Sequence, residues 1–259
     1  SEAGFNTPAA ILLFEQRAQS IFPEFQLSPK DYGDALRLCE SLDGLPLGIE
    51  LAAVLTKKFT CTEIAERLSD DVGLLNSPMR DIPARHHSML LAFDESWNLL
   101  AQEEQVGFAS LAIFPSRFSP GAAHEICGVN AKLLDDLCQK SLVRQMGKGW
   151  YSLHPLLRQY ARAKQTSAGI SEIDLAIKFQ DYYARLAQAL GRDLKSGNAR
   201  QALIDFLDNF LNLTAGWNMA ISSIRVETIN AMLSHLFWFF EIKGKIYEGE
   251  SLFQNSVLE

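Results

Sequence analysis

Positive charge is scarce in these 259 residues: 24 lysines and arginines stand against 31 aspartates and glutamates, for a net charge of −7. That balance argues against a broad nucleic-acid-binding face or a basic membrane footprint, both of which draw on clustered lysine and arginine. Cysteine is scarce too. Cys39, Cys61, Cys127 and Cys138 form no Cys-x-x-Cys pair and sit in helical, mostly apolar stretches, the pattern of small core residues in a reducing cytosol. No apolar run approaches the ~20 residues needed to span a bilayer, and the cluster HLFWFF at 235–240 is far shorter. No secretory leader is visible, so a cytoplasmic protein without a membrane partner is expected.

Catalytic constellations are missing as well. His86-His87 and His124 have no metal-ligand spacing to the cysteines. Glu103-Glu104 and Asp135-Asp136 are neighbours on helices, so they point in different directions and form no acid/base pair. No Ser-His-Asp or Cys-His order stands out. No G-x-x-x-x-G-K-[ST] occurs, and no strand ends in acids that would hold magnesium; GKGW at 147–150 reads as a hairpin turn. The amides and lysine of a phosphate loop are both absent, so these residues alone make no ATPase.

What is present is helix grammar around a large apolar fraction, 47%. Thr7 and Pro8 open a first helix whose apolar face holds Leu12, Phe14, Ala18 and Ile21. Ser28 and Pro29 open a second, which Gly44 ends. Pro46 then restarts the chain in PLGIELAAVL, apolar nearly all round and hence central. Gly44 supplies a left-handed turn and Pro46 a preset first turn, so two helices meet at a corner. Thr60 or Thr62 caps EIAERLS. After the loop SPMRDIPARHH, a helix carries Met89, Phe93, Trp97 and Leu100 on one stripe, and shorter helices follow. LVRQM-GKG-WYSL predicts a hairpin, and HPLLRQYARAKQ a helix with proline near its start. Three helices, a two-stranded wing and a trailing helix are the order of a winged helix.

TSAGIS at 166–171 reads as a linker, followed by helices over 171–190, 199–221, 225–242 and 247–258. Phe240, Gly244, Tyr247 and Ser256 fall at spacings used in a tetratricopeptide repeat, where the glycine allows close helix approach and the tyrosine packs between helices. The cluster Phe237, Trp238, Phe239 and Phe240 is expected in the core of that region. Ser1 and the final Leu258-Glu259 read as ends cut from a larger protein.

The order of these pieces resembles the STAND class of signal-transduction NTPases, in the NB-ARC-like bacterial form that continues into helical repeats. PAAILLFEQRAQ resembles the segment before the family's helical ARC module, and LCESLDGLPLGIELAA resembles its GLPL motif. IPARHHSMLLAFDESWNLL, LAIFPSRFSPGAAHEIC and LLDDLCQKSLVR resemble its winged helix. YSLHPLLRQYA occupies the place of its MHD motif, and LIDFLDNFLNLTAGWNMAI with WFFEIKGKIYEGESLF resembles the start of its repeats.

The resemblance implies a mainly α fold in three parts. These are an ARC-like helical module over 1–82 with the GLPL motif at 44–47, a winged helix over 83–165 with the MHD-like motif at 153–155, and a TPR-like array over 171–259. It also implies a nucleotide switch. Pro46, flanked by Leu45 and Leu47, would lie against the adenine of ADP or ATP, and His154 would hydrogen-bond its β-phosphate in the closed state. Pro155 stands where the family has aspartate. Since the phosphate loop is missing, the implied NTPase core lies upstream, nucleotide is expected only in the longer protein, and the repeats would sense a protein or small molecule.

Two other readings come from the residues themselves: a winged-helix DNA binder with a helical partner-binding domain, and a non-catalytic scaffold. Direct DNA reading fits poorly. NAKLLDDLCQK, the would-be reader helix, sets Asp135 and Asp136 against Lys132 and Lys140 and has no arginine; only Arg144 and Lys148 on the wing offer backbone contacts.

Overall fold

The computed structural model describes residues 9–29, 31–42, 44–69, 87–196 and 198–254. Among them are thirteen α-helices, numbered α1 to α13 in chain order, and one two-stranded sheet, β1–β2, so the fold is mainly α. No helix among these residues is long and apolar enough to cross a membrane. Thr7, Pro8, His86, Ser256 and the loop before His87 lie outside the described residues. The chain divides into two compact units. The first comprises the described residues up to Phe108 with Lys132–Arg144 and His154–Lys164; the second comprises Ala109–Ala131, Gln145–Leu153 and the described residues from Gln165.

The first unit begins with α1 (Ala9–Ile21), α2 (Tyr32–Ser41), α3 (Pro46–Leu55) and α4 (Cys61–Ser69). α3 packs against both α1 and α5 (His87–Asn98), which is why its sequence is apolar nearly all round: Gly48, Ile49, Leu51, Ala52, Ala53 and Leu55 are all buried. α4 opens with a reciprocal capping box. Thr60 Oγ1 accepts from the Glu63 amide at 3.3 Å, while Glu63 Oε2 accepts from the Thr60 amide at 2.8 Å, so Thr60, not Thr62, is the cap. The start of α2 differs from expectation. Ser28 closes a separate turn by accepting from the Asp31 amide at 3.3 Å, and the helix begins only at Tyr32. The hydroxyl also donates to Asp31 Oδ2 at 2.6 Å, so Ser28 and Asp31 satisfy each other one turn too early to cap the helix.

α5 buries Phe93 and Trp97, with Leu100 just beyond its end. Tyr160 of α9 (Pro155–Ala163) meets Phe93 and Trp97 edge-on, at centroid separations of 5.5 and 6.3 Å. Its hydroxyl donates to Asp94 Oδ1 at 2.5 Å, and Lys164 Nζ reaches the same oxygen at 2.8 Å. This unit also contains α6 (Gln102–Ser110) as far as Phe108, and all of α8 (Ala131–Gln139) but its first residue.

In the second unit, α7 (Pro120–Cys127) starts with proline behind a Ser119 cap and ends at Gly128, whose φ is 72°. β1 (Arg144–Met146), of which Arg144 falls in the first unit, and β2 (Trp150–Ser152) flank a tight 3₁₀ turn at Gly147–Gly149, the expected hairpin. The sequence pattern missed a third extended segment. The Phe118 amide donates to the Tyr151 carbonyl at 2.8 Å, and the Tyr151 amide donates back at 2.9 Å, adding a one-residue strand beside β2. The long helices α10 (Glu172–Leu194), α11 (Ala199–Ser222) and α12 (Val226–Lys243) follow, with α10 against both others and against α7; α13 (Ile246–Gln254) packs on α12.

Repeat-like residues in this unit take other roles than their spacing predicts. Gly244 makes no close approach. It ends α12 in a left-handed turn, φ 65°, with open space where a Cβ would stand. Tyr247 is 87% exposed and packs between no helices. The close approach is made by Gly249, whose Cβ would stand 2.8 Å from Phe240 Cγ. Gly191 plays the same part under the His235 ring. Of the aromatic cluster, Phe239 and Phe240 are buried, while Phe237 and Trp238 are substantially exposed.

Candidate functional site

The corner at GLPL is built by backbone geometry. Gly44 has φ 65°, a region that side chains with a Cβ avoid, and its amide donates to the Cys39 carbonyl at 3.0 Å, closing the end of α2. The Leu45 amide donates to Leu42 O at 2.9 Å; Leu45 itself is extended, and Pro46 takes the first helical position of α3. Pro46 is exposed, and Leu45 and Leu47 are half-buried. The result is a small apolar shelf with a rigid ring at its edge, chemically suited to the face of a planar base. Gly48 is the residue that sequence reasoning missed here. A Cβ on it would stand 3.1 Å from Leu42 Cδ2, so the glycine is what lets the first turn of α3 lie on Leu42. Its only sequence signal is a glycine inside an otherwise unbroken apolar helix.

His154 stands immediately before Pro155 and caps α9. Its Nδ1 accepts from the Leu156 amide at 3.3 Å. An accepting Nδ1 leaves Nε2 as the N–H of a neutral ring, a donor free of the capping bond. His154 is an exposed residue whose ring is partly desolvated at the start of α9, and its pKa is lowered from the ordinary value of 6.5, first by that desolvation and then by the positive charges of Arg144 and Arg158. A neutral donor within the field of two guanidiniums suits a phosphate oxygen. The capping bond equally gives His154 a structural duty. The corner and His154 belong to the same compact unit, and no hydrogen bond or ion pair among the described residues joins them.

α8, the would-be DNA reader, buries Leu133, Leu134 and Leu137. Of its flanking cations, Lys140 is engaged: its Nζ lies 2.5 and 2.6 Å from the two carboxylate oxygens of Glu104. Asp135 and Lys132 are exposed and Asp136 is half-buried, so the open face carries as much acid as base. Among the described residues, no group of three or more His, Cys, Asp or Glu is placed to hold a metal ion. Burial pushes the Cys39 and Cys61 thiols up to about 11, and no disulfide joins the four cysteines. In the second unit, Phe210, Phe240, Asn218, Tyr247 and Ser251 help line an open groove of about 560 Å³.

Among known proteins, the chain is 30% identical, over a 266-residue alignment, to provisionally named HTH-type transcriptional regulators of Mycobacterium tuberculosis and Mycobacterium bovis. The match covers 98% of this chain but only 29% of those relatives, so the chain spans under a third of their length. An uncharacterized protein of Mycobacterium tuberculosis is 28% identical over 182 residues, 66% of this chain and 46% of its own length. No family model and no solved structure matches.

Proposed function

We propose that this chain is a regulatory segment of a bacterial transcription regulator and that it works as the moving part of a nucleotide switch of the STAND type. The relatives' names support the regulatory half of this reading, since the likeness to them runs through nearly the whole chain. The observation that carries the switch half is His154: a ring held by its Nδ1 at the start of α9, in the positive field of Arg144 and Arg158. The ARC-like helices over 1–82 and the winged helix over 83–165 would close ADP against an NTPase core upstream of this sequence. ADP or ATP would rest its base on Pro46 between Leu45 and Leu47, and its phosphates would take a hydrogen bond from His154. The nucleotide supplies the charge and the flat base; these residues bind and orient it and carry out no chemistry. The TPR-like helices over 171–259 would receive a protein or small-molecule signal, for which the groove beside Phe210 and Phe240 offers an apolar wall. A ligand there would bias the open state by its preference for that state.

The relatives' printed name favours a second reading, in which this winged helix binds DNA itself and the helical domain binds a partner. The Lys140–Glu104 pair and the balance of acid and base on the open face of α8 weigh against it. Equilibrium binding separates the two. On the switch reading, the longer protein binds ADP and loses affinity when Pro46 or His154 is replaced, while this chain ignores random duplex. On the second reading, this chain binds duplex with a steep salt dependence and the longer protein is indifferent to ADP.

A further inference from the structure

The structure assigns Arg17 a role as a latch between the GLPL-bearing helices and α8. This inference does not depend on what the corner binds. Arg17 lies on α1, more than a hundred residues before its partners. Its Nε donates to Ser141 Oγ at 3.0 Å, and one terminal nitrogen donates to the carbonyls of Cys138 and Gln139 at 3.1 and 2.6 Å. Those carbonyls belong to the last turn of α8, where a helix runs out of internal donors and its dipole favours a cation; the Cys138 carbonyl also accepts from the Ser141 amide at 3.0 Å. One planar guanidinium therefore closes the end of α8 from a different helix.

Ser141 ties in the third element. Its hydroxyl donates to Glu50 Oε2 of α3 at 3.4 Å. The residue holds a left-handed backbone, φ 58°, which costs a non-glycine residue energy and brings the hydroxyl to both partners. α1, α3 and the end of α8 thus meet at one polar knot. The sequence places these pieces in two modules, 1–82 and 83–165; the described residues place them in one compact unit. The latch makes the helices around GLPL and α8 move as one body, and any movement that parts them must first release Arg17.

The test is a distance measurement on the 259-residue chain, with paramagnetic labels on non-natural residues replacing the exposed Glu40 on α2 and Asp135 on α8. The unmodified latch gives one narrow distance. Arg17→Ala adds a longer-distance population, an increase on the order of tenfold or more in the open fraction for the loss of charge-assisted hydrogen bonds. Arg17→Lys, which cannot fork across three acceptors, gives a smaller rise. Ser141→Gly, which suits the backbone but removes the hydroxyl, also gives a smaller rise. An unchanged single distance in Arg17→Ala overturns the proposal. So does a loss of helicity with no second distance population in either Arg17 variant, because Arg17 would then be an ordinary fold contact.

Discussion

Lys140 Nζ donates to both carboxylate oxygens of Glu104, at 2.5 and 2.6 Å, and this pair withdraws the cation nearest the end of α8 from any phosphate backbone. With Asp135 exposed on the same helix, α8 has little to offer a duplex. Titration of the chain against random duplex DNA at low salt is expected to show no submicromolar binding. Glu104→Gln should release Lys140 and strengthen binding slightly, with a salt slope steeper by about one counterion. Tight, steeply salt-dependent binding by the unaltered chain would support DNA reading instead.

His154→Ala removes the acceptor that caps α9. A cap is worth about 0.5–2 kcal/mol, and the 3.3 Å bond places this one near the low end. A small drop in Tm is expected, whereas His154→Ser, with its own cap oxygen, should hold the Tm of the chain. A pH series adds a second check. The folded pKa is lowered, so the unfolded chain takes up the proton more readily. The stability from the neutral ring is complete above pH 6.5 and is lost as pH falls from 6.5 through the lower folded value. His154→Ser should therefore flatten the acid side of the stability curve. His235, lowered by burial, Lys195 and Arg192, and Asp34, lowered first by its hydrogen bond from Thr62, keep slopes of their own on the acid side.

Pro46→Ala should cost little in the isolated chain. Pro46 is exposed at the first turn of α3, so the loss comes mainly from a more flexible unfolded chain, about 0.4–1 kcal/mol. In Gly48→Ala the helix gain of about 0.5–1 kcal/mol over glycine is set against a methyl 3.1 Å from Leu42 Cδ2, and because Leu42 is buried the net is a loss larger than that of Pro46→Ala. Denaturant melts of the two variants check the order; equal losses would mean that Leu42 yields freely.

In the second unit, Gly249→Ala is expected to lower stability by about 1–3 kcal/mol through overlap with Phe240, while Tyr247→Ala should leave the melt nearly unchanged. The reverse order would restore the repeat roles that the spacing implies.

The helix starts were legible where proline sits at the first helical position, as at Pro46 and Pro155, because that rule is local. The same grammar failed at Ser28-Pro29, where Ser28 found Asp31 first. Thr60 was distinguishable from Thr62 by sequence too, because Thr60 alone has a glutamate three residues on, the spacing of the capping box that the structure shows. What stayed hidden was non-local. Gly191 and Gly249 matter because of rings on another helix, and Arg17 because of carbonyls more than a hundred positions away. The spacing at Phe240, Gly244 and Tyr247 matched a repeat pattern, but the left-handed turn at Gly244 leaves Tyr247 in solvent. At the candidate site, both the corner and the histidine could be named in advance. The role of His154 as the cap of α9 could not, because an imidazole is an uncommon cap.

The switch reading stands or falls on ADP release from the longer protein that contains this chain. Labelled ADP should dissociate on the order of ten- to a hundredfold faster from His154→Ser than from the unaltered protein, as loss of a hydrogen bond to a charged acceptor, roughly 1.5–3 kcal/mol, requires. The Tm of the isolated chain should stay the same, because serine keeps the cap. Unchanged ADP release from His154→Ser, or no ADP binding by the longer protein at all, would contradict the account and leave His154 as the cap of α9 alone.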